Sequence, residues 1–96
     1  MHYNTEVFKI SSAVLKRFEE NLDNGTFFLF NAQNGDYWAG NYSAKILAGL
    51  FDGKKDVNTV KNEFAQVLNI SNDLELENSV DIILTELEEK SIIVRV

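Results

Sequence analysis

The first half of the chain carries short apolar runs separated by turn residues, whereas the second half carries apolar residues three and four positions apart. The first pattern belongs to strands and the second to helices. Val7, Phe8 and Ile10 form a short patch that reads as a first strand over residues 6–12. Residues 13–22, AVLKRFEENL, have helix-forming composition but are few, so a short helix and an irregular connection both stay open. Aromatic and β-branched residues then run through 26–33, and Tyr37 and Trp38 follow the turn signal Gln33-Asn34-Gly35. Asn-Gly between apolar runs predicts a hairpin with those two residues at its tip, because both central positions of a type I′ turn need positive φ. Alternation along the returning strand places Asp36, Trp38 and Gly40 on one face and Tyr37, Ala39 and Asn41 on the other.

A short helix is expected over residues 44–51, with Asn41 and Ser43 both able to cap it by accepting from a free first-turn N–H. Asp52-Gly53 reads as its stop, with Gly53 in a left-handed cap position. So short a helix is marginal alone, and its face of Ile46, Leu47, Leu50 and Phe51 must dock on the sheet. Asp56 or Asn58 starts a second helix that carries Val57, Val60, Phe64, Val67 and Leu68 and is broken by residues 69–73. A third, over residues 76–90, gathers Leu76, Val80, Ile83, Leu84 and Leu87 within an arc of about 100°, the width of a core-facing stripe. The tail 92–96 is β-branched and either adds a short strand or packs over the core. The order is strands and then three helices, an α+β arrangement with helices on one face of a small antiparallel sheet. No repeat, low-complexity tract or proline marks a linker, so one domain over 1–96 suffices.

At 96 residues and 45% hydrophobic, a single modest core is feasible without staples, and no cysteine is present to supply one. The first ten residues lack the pattern of a signal peptide, and no apolar run approaches the roughly 20 residues of a membrane span. A cytoplasmic protein is expected. The formal charge of −6 is concentrated in residues 72–91, where seven acids face the single base Lys90. That field repels phosphate backbones and anionic membrane surfaces, so neither nucleic acid nor membrane is an expected partner.

Reactive side chains are sparse. His2 is the only histidine, and zinc needs about four Cys, His or carboxylate ligands, so no metal site is expected. The pairs Glu19/Glu20 and Glu88/Glu89 point apart if helical and read as solvated charge. Gly49 and Gly53 lack the Gly-Lys-Ser/Thr ending of a phosphate loop, and the adjoining Lys54-Lys55 pair reads as part of a turn. No Ser or Thr has a positioned histidine beside it. The expectation is a protein without catalytic residues or cofactors.

The run Tyr37-Trp38-Ala39-Gly40-Asn41-Tyr42-Ser43-Ala44, followed by residues 47–53, resembles the PqqD-like family, the recognition elements that bind leader peptides of ribosomally synthesised and modified peptides (RiPPs). The family pattern reads aromatic, any, Leu, Asn, any, Thr, Ala, then a short helix ending Leu-Leu-Asp-Gly. This chain meets it at Trp38, Asn41, Ala44, Leu50, Asp52 and Gly53, and departs from it with Gly40 for Leu, Ser43 for Thr and Phe51 for Leu. Weaker correspondence extends over Phe8-Lys9-Ile10, the second helix, and residues 80–89 leading into Ser91-Ile92-Ile93. Gly40 removes one core contact of the pattern, and Trp38 beside it is placed to fill the space.

The resemblance implies a winged helix-turn-helix-like domain, a three-stranded antiparallel sheet followed by three helices. It implies that a leader peptide adds as a strand to the third strand, at Asp36, Tyr37, Trp38, Ala39, Gly40 and Asn41. The peptide would lie against the third helix, where Ser79, Ile82, Ile83 and Glu86 flank the core stripe. The implied function is non-catalytic: to capture a precursor leader by β-augmentation and present it to a separate modifying enzyme or protease of natural-product biosynthesis. A strand with neither Pro nor Lys to blunt its edge is compatible with such pairing. Glu75, Glu86 and Glu89 lie near Ile82 on the helical wheel, so the peptide is expected to carry Lys or Arg opposite them. Two other readings stand beside this one: a winged-helix DNA-binding regulator, which ordinarily needs a basic recognition helix, and a dimerisation or scaffold subunit that pairs its open strand with a copy of itself.

Overall fold

The computed structural model describes residues 4–96. It is an α+β fold of six strands in two antiparallel three-stranded sheets with three helices, in the order β1 (Val7–Ile10), β2 (Val14–Glu19), β3 (Thr26–Asn31), β4 (Tyr37–Gly40), α1 (Tyr42–Gly49), β5 (Asp52–Asp56), α2 (Val57–Leu68), α3 (Leu74–Glu89) and β6 (Ile93–Arg95). One sheet has the strand order β2-β3-β4 and the other β5-β1-β6. The expected single sheet followed by helices is therefore corrected. The first strand leaves the hairpin to join residues far along the chain, pairing Phe8 with Arg95 and Ile10 with Ile93, and Lys9 with Asp52.

Its place beside β3 is taken by β2, in the segment read as a short helix or a connection. Six consecutive pairs, from Val14 with Asn31 to Glu19 with Thr26, hold it there. Helix propensity amounts to a few tenths of a kcal/mol per residue, and a full cross-strand ladder overrides it. The turn that makes this ladder possible is Leu22-Asp23-Asn24-Gly25: Asp23 and Asn24 have φ of 50° and 63°, and the Gly25 N–H donates to the Leu22 carbonyl at 2.8 Å. Two successive positive φ values are what a type I′ turn requires.

The sequence signal for that turn pointed instead at Asn34-Gly35. The β3–β4 hairpin is present, pairing Phe30 with Tyr37 and Phe27 with Gly40, but only Gly35 has positive φ, 77°. Residues 32–36 form a longer loop closed by Asn31 N–H to the Asp36 carbonyl at 2.8 Å and Gly35 N–H to the Asn31 carbonyl at 2.9 Å.

Asn41, not Ser43, caps α1, its Oδ1 accepting from the Ala44 N–H at 3.0 Å. The helix thus runs two residues earlier at each end than expected. Phe51 is buried just beyond it, and Asp52-Gly53 opens β5 instead of stopping a helix. Few sequences are less strand-like than DGKKD. It is held by pairing with β1 and by Asp52, whose Oδ1 accepts from the N–H groups of Lys54 and Lys55 at 2.9 and 3.0 Å across an irregularity in the ladder. Asp56 then caps α2 through Thr59 N–H, and Asp73 caps α3 through Leu76 N–H, with Glu75 and Glu77 in the first turn of α3, favourable at a helix N-terminus.

One core joins both sheets to all three helices. It includes Phe8, Phe27, Leu29, Leu47, Val60, Phe64, Val80, Leu84, Leu87, Ile92 and Ile93. The tail does both things left open for it, since Ile92 is buried and β6 pairs with β1. Among the core residues sits Lys61, only 2% exposed. Its Nζ takes a hydrogen bond partner in Asn4 Oδ1 at 3.0 Å and lies 3.0 Å from Asp81 Oδ1, an ionic contact whose angles fall outside hydrogen-bond geometry. Glu77 is more distant, at 3.9 Å.

Removing one partner of a buried pair leaves the other uncompensated, at about 3–5 kcal/mol, whereas replacing both with apolar groups is often neutral. Asp81 is partly exposed, so Lys61→Met is expected to lower unfolding free energy by about 3 kcal/mol, at the low end, and Lys61→Met with Asp81→Leu to regain most of it, as read by urea denaturation. A second expectation concerns acid. The carboxyls of Asp52, through the Lys55 ammonium and then the Lys55 and Lys54 N–H groups, and of Asp56, through the N–H and then the hydroxyl of Thr59, are held below their ordinary values. Such groups stabilise the fold above their unfolded pKa near 4, and that contribution is lost as pH falls through and below it. The urea midpoint should drop from about pH 4 downward, less steeply in Asp52→Asn.

Candidate functional site

β4 lies at the end of its sheet, and among the described residues no strand pairs with its outer edge. Of the six residues expected to form the docking strand, Tyr37, Trp38, Ala39 and Gly40 do so. Asp36 belongs to the loop, its N–H donating to Asn34 Oδ1, and Asn41 is the cap of α1. The alternation is as the sequence indicated: Trp38 and Gly40 are half-buried, while Tyr37 and Ala39 face outward and are exposed.

Gly40 has a physical reason. A Cβ built there would stand 2.5 Å from Trp38 Cη2 and 2.6 Å from Ala44 Cβ, so the indole ring occupies the space that a larger residue at 40 would need. From that position Trp38 reaches across to the third helix, its Nε1–H donating to Glu86 Oε1 at 2.9 Å.

Ser79, Ile82, Ile83 and Glu86 share one side of α3 by their spacing of three and four. Glu86 places that side toward Trp38. Ile83 packs partly against the core, Ile82 is 61% exposed, and Ser79 Oγ donates back to the Glu75 carbonyl at 2.9 Å. The structure thus brings Trp38 and Glu86 into contact and aligns the other three along the same flank. At the far end of the flank a surface hollow is lined by Ile70, Ser71, Asp73, Glu75, Leu76 and Ser79.

The separation of β4 from α3 is set by two asparagines: Asn31, which the sequence pattern did not single out, and Asn34, which it read only as a turn residue. Asn31 is buried and its Nδ2 donates to the carbonyls of Ser91 and Lys90 at 2.9 and 3.3 Å. Asn34 Nδ2 donates to the same Lys90 carbonyl at 3.2 Å. A helix C-terminus exposes carbonyls without partners, and here the end of β3 and the loop after it supply the donors. Period two would have found Asn31, since it follows Phe27 and Leu29 on the inward face.

Charge divides along α3. Glu77 and Asp81 face Lys61, and Glu88 pairs with Arg95 at 2.8 Å, which also meets Glu6 at 3.3 Å. These acids lie on the flank away from Trp38. Glu75, Glu86 and Glu89, on the other flank, have no base within ion-pair distance among the described residues. Among those residues no cluster of three or more His, Cys, Asp or Glu has metal-binding geometry, and no helix is long and apolar enough to cross a membrane. His2 lies outside the described residues.

Comparison of the chain with protein-family models, curated proteins and solved structures finds no match.

Substitution at Gly40 tests the packing of the site. Gly40→Ala should destabilise by about 1–3 kcal/mol, as overpacking does, because Trp38 must leave its position. Combining it with Trp38→Leu should recover part of the loss, a coupling that a double-mutant cycle of urea midpoints measures.

Proposed function

We propose that this protein is a non-catalytic peptide-binding module that captures an extended leader of a ribosomally made precursor on the free edge of β4 and presents it to a separate modifying enzyme or protease. The observation that carries this reading is the Trp38–Glu86 bond, which joins an unpaired strand edge to the unneutralised flank of α3. An incoming strand would gain backbone hydrogen bonds from β4 and side-chain contacts from α3, the two components of β-augmentation. Under this reading β2-β3-β4 and the three helices constitute the winged helix-turn-helix-like unit, and β5-β1-β6 is a second sheet built around it. The resemblance to PqqD-like recognition elements supports the same assignment through Trp38, Asn41, Ala44, Leu50, Asp52 and Gly53. A cytoplasmic location accords with it.

DNA recognition is less well supported. Lys61, the only base of α2, is buried against Asp81, and α3 is acidic, so neither helix offers phosphate contacts.

Leaders encoded by short reading frames beside the gene are the ligands to try. Titrated into isotope-labelled protein, a true leader should shift NMR resonances of residues 36–41 and 79–86, with micromolar affinity corresponding to about −8 kcal/mol. Ile82→Glu should weaken binding without unfolding the chain. Shifts confined to other surfaces, or a concentration-dependent dimer that buries β4 in the absence of peptide, would overturn the proposal.

A further inference from the structure

The outer face of the β2-β3-β4 sheet bears an apolar row that no element of the described residues covers. Leu15 pairs with Phe30 and Phe30 with Tyr37, and the three are 63%, 41% and 62% exposed. A second row, Arg17, Phe28 and Ala39, runs beside it in register. Both rows end at the free edge of β4, the edge on which peptide capture is proposed. A fourth strand would extend them, because directly opposed residues of neighbouring antiparallel strands place their Cβ atoms about 5 Å apart on the same face. Successive side chains of that strand alternate between the two faces of the sheet. Those beside Tyr37 meet the apolar row and those beside Ala39 meet Phe28 in the second, whereas those beside Trp38 point toward Glu86 and Ile82.

The inner positions are electrostatically one-sided. Lys61 and Arg95 lie against the acids on the far flank of α3, whereas Glu75, Glu86 and Glu89 on the near one have no base within ion-pair distance among the described residues. A lysine or arginine there can lay its methylenes over exposed Ile82 and its charge beside Glu86. A second copy of this chain is a poor occupant: β4 contributes Tyr-Trp-Ala-Gly, with no cation, and edge-to-edge pairing would bring two acidic third helices to the same face of a joined sheet.

Resting on the peptide-capture reading, we propose that the occupant of β4 is a peptide of alternating character, with aromatic or β-branched residues outward beside Tyr37 and Ala39 and lysine or arginine inward facing Glu86. Recognition is thus two-sided, the outer sheet face reading one set of positions and the third helix the other.

Three short synthetic peptides separate the components: one alternating lysine with valine, one alternating lysine with serine, and one alternating glutamate with valine. The lysine–valine peptide should shift residues 37–40 and 79–86 and bind about tenfold more tightly than either of the others, each opposed pair contributing a few-fold. Tyr37→Ser, an exposed position, should weaken the lysine–valine peptide several-fold more than the lysine–serine peptide, with far-UV circular dichroism confirming the fold. Equal binding of all three, or preference for the glutamate peptide, overturns the alternation while a leader that still shifts 37–40 upholds capture at β4. If neither these peptides nor any leader perturbs β4, both proposals fall.

Discussion

The buried amide of Asn31 is the constraint on which the arrangement of the candidate site depends. It sits at the inward end of β3, where period two calls for an apolar residue, and it gives both of its donor hydrogens to the carbonyls that close α3. A buried amide without partners would cost about 1–3 kcal/mol, and so would the orphaned carbonyls. Satisfying both at once locks the end of the third helix to the hairpin. Asn34 adds a second donor from the loop tip. With that junction made, Trp38 is at the right height on β4 to reach Glu86, and the free strand edge is held at a set distance from the flank of α3.

The other organising force is the uneven neutralisation of the acidic helix. Two bases from elsewhere in the chain, Lys61 of α2 and Arg95 of β6, are drawn to the same side of α3, one buried and one on the surface. The burial of Lys61 is tolerable because Asn4 and Asp81 surround its ammonium. The opposite side keeps its negative charge, beside the exposed Ile82 and the edge of a sheet whose outer face carries the apolar row of Leu15, Phe30 and Tyr37. Strand edge, apolar row and the carboxylates of Glu75, Glu86 and Glu89 therefore converge on one border of the molecule.

Much of the helical half was legible in advance. Val57–Leu68 begins and ends where its caps and spacing place it, and the core stripe of α3 is Leu76, Val80, Leu84 and Leu87 with Ile83 at its margin. The β4 alternation was legible too, as was the filling of the space over Gly40 by Trp38. The strands were read less well for identifiable reasons. Residues 14–19 carry local helical preference that six cross-strand pairs outweigh, and residues 52–56 have almost no strand preference of their own. Asn-Gly occurs at both 24–25 and 34–35, yet only the first loop, with Asp23 and Asn24 at its centre, adopts two successive positive φ values; the bond from Asn34 to the Lys90 carbonyl holds the other loop in a longer form.

By itself the sequence determined the features that act over a few residues: three helices, the caps of the first two, the apolar stripe of the third, the hairpin that carries Trp38, and the excess of acid in residues 72–91. Those follow from periodicity, capping chemistry and composition, which local sequence contains. Only the tertiary structure decided that the first strand pairs on both of its edges with residues more than forty positions further along the chain, that Lys61 is buried, that bases lie against one side of the acidic helix, and that Asn31 binds the helix end. Each of these is a partnership between distant segments, and its energy depends on burial and on geometry that the chain acquires only when the core closes.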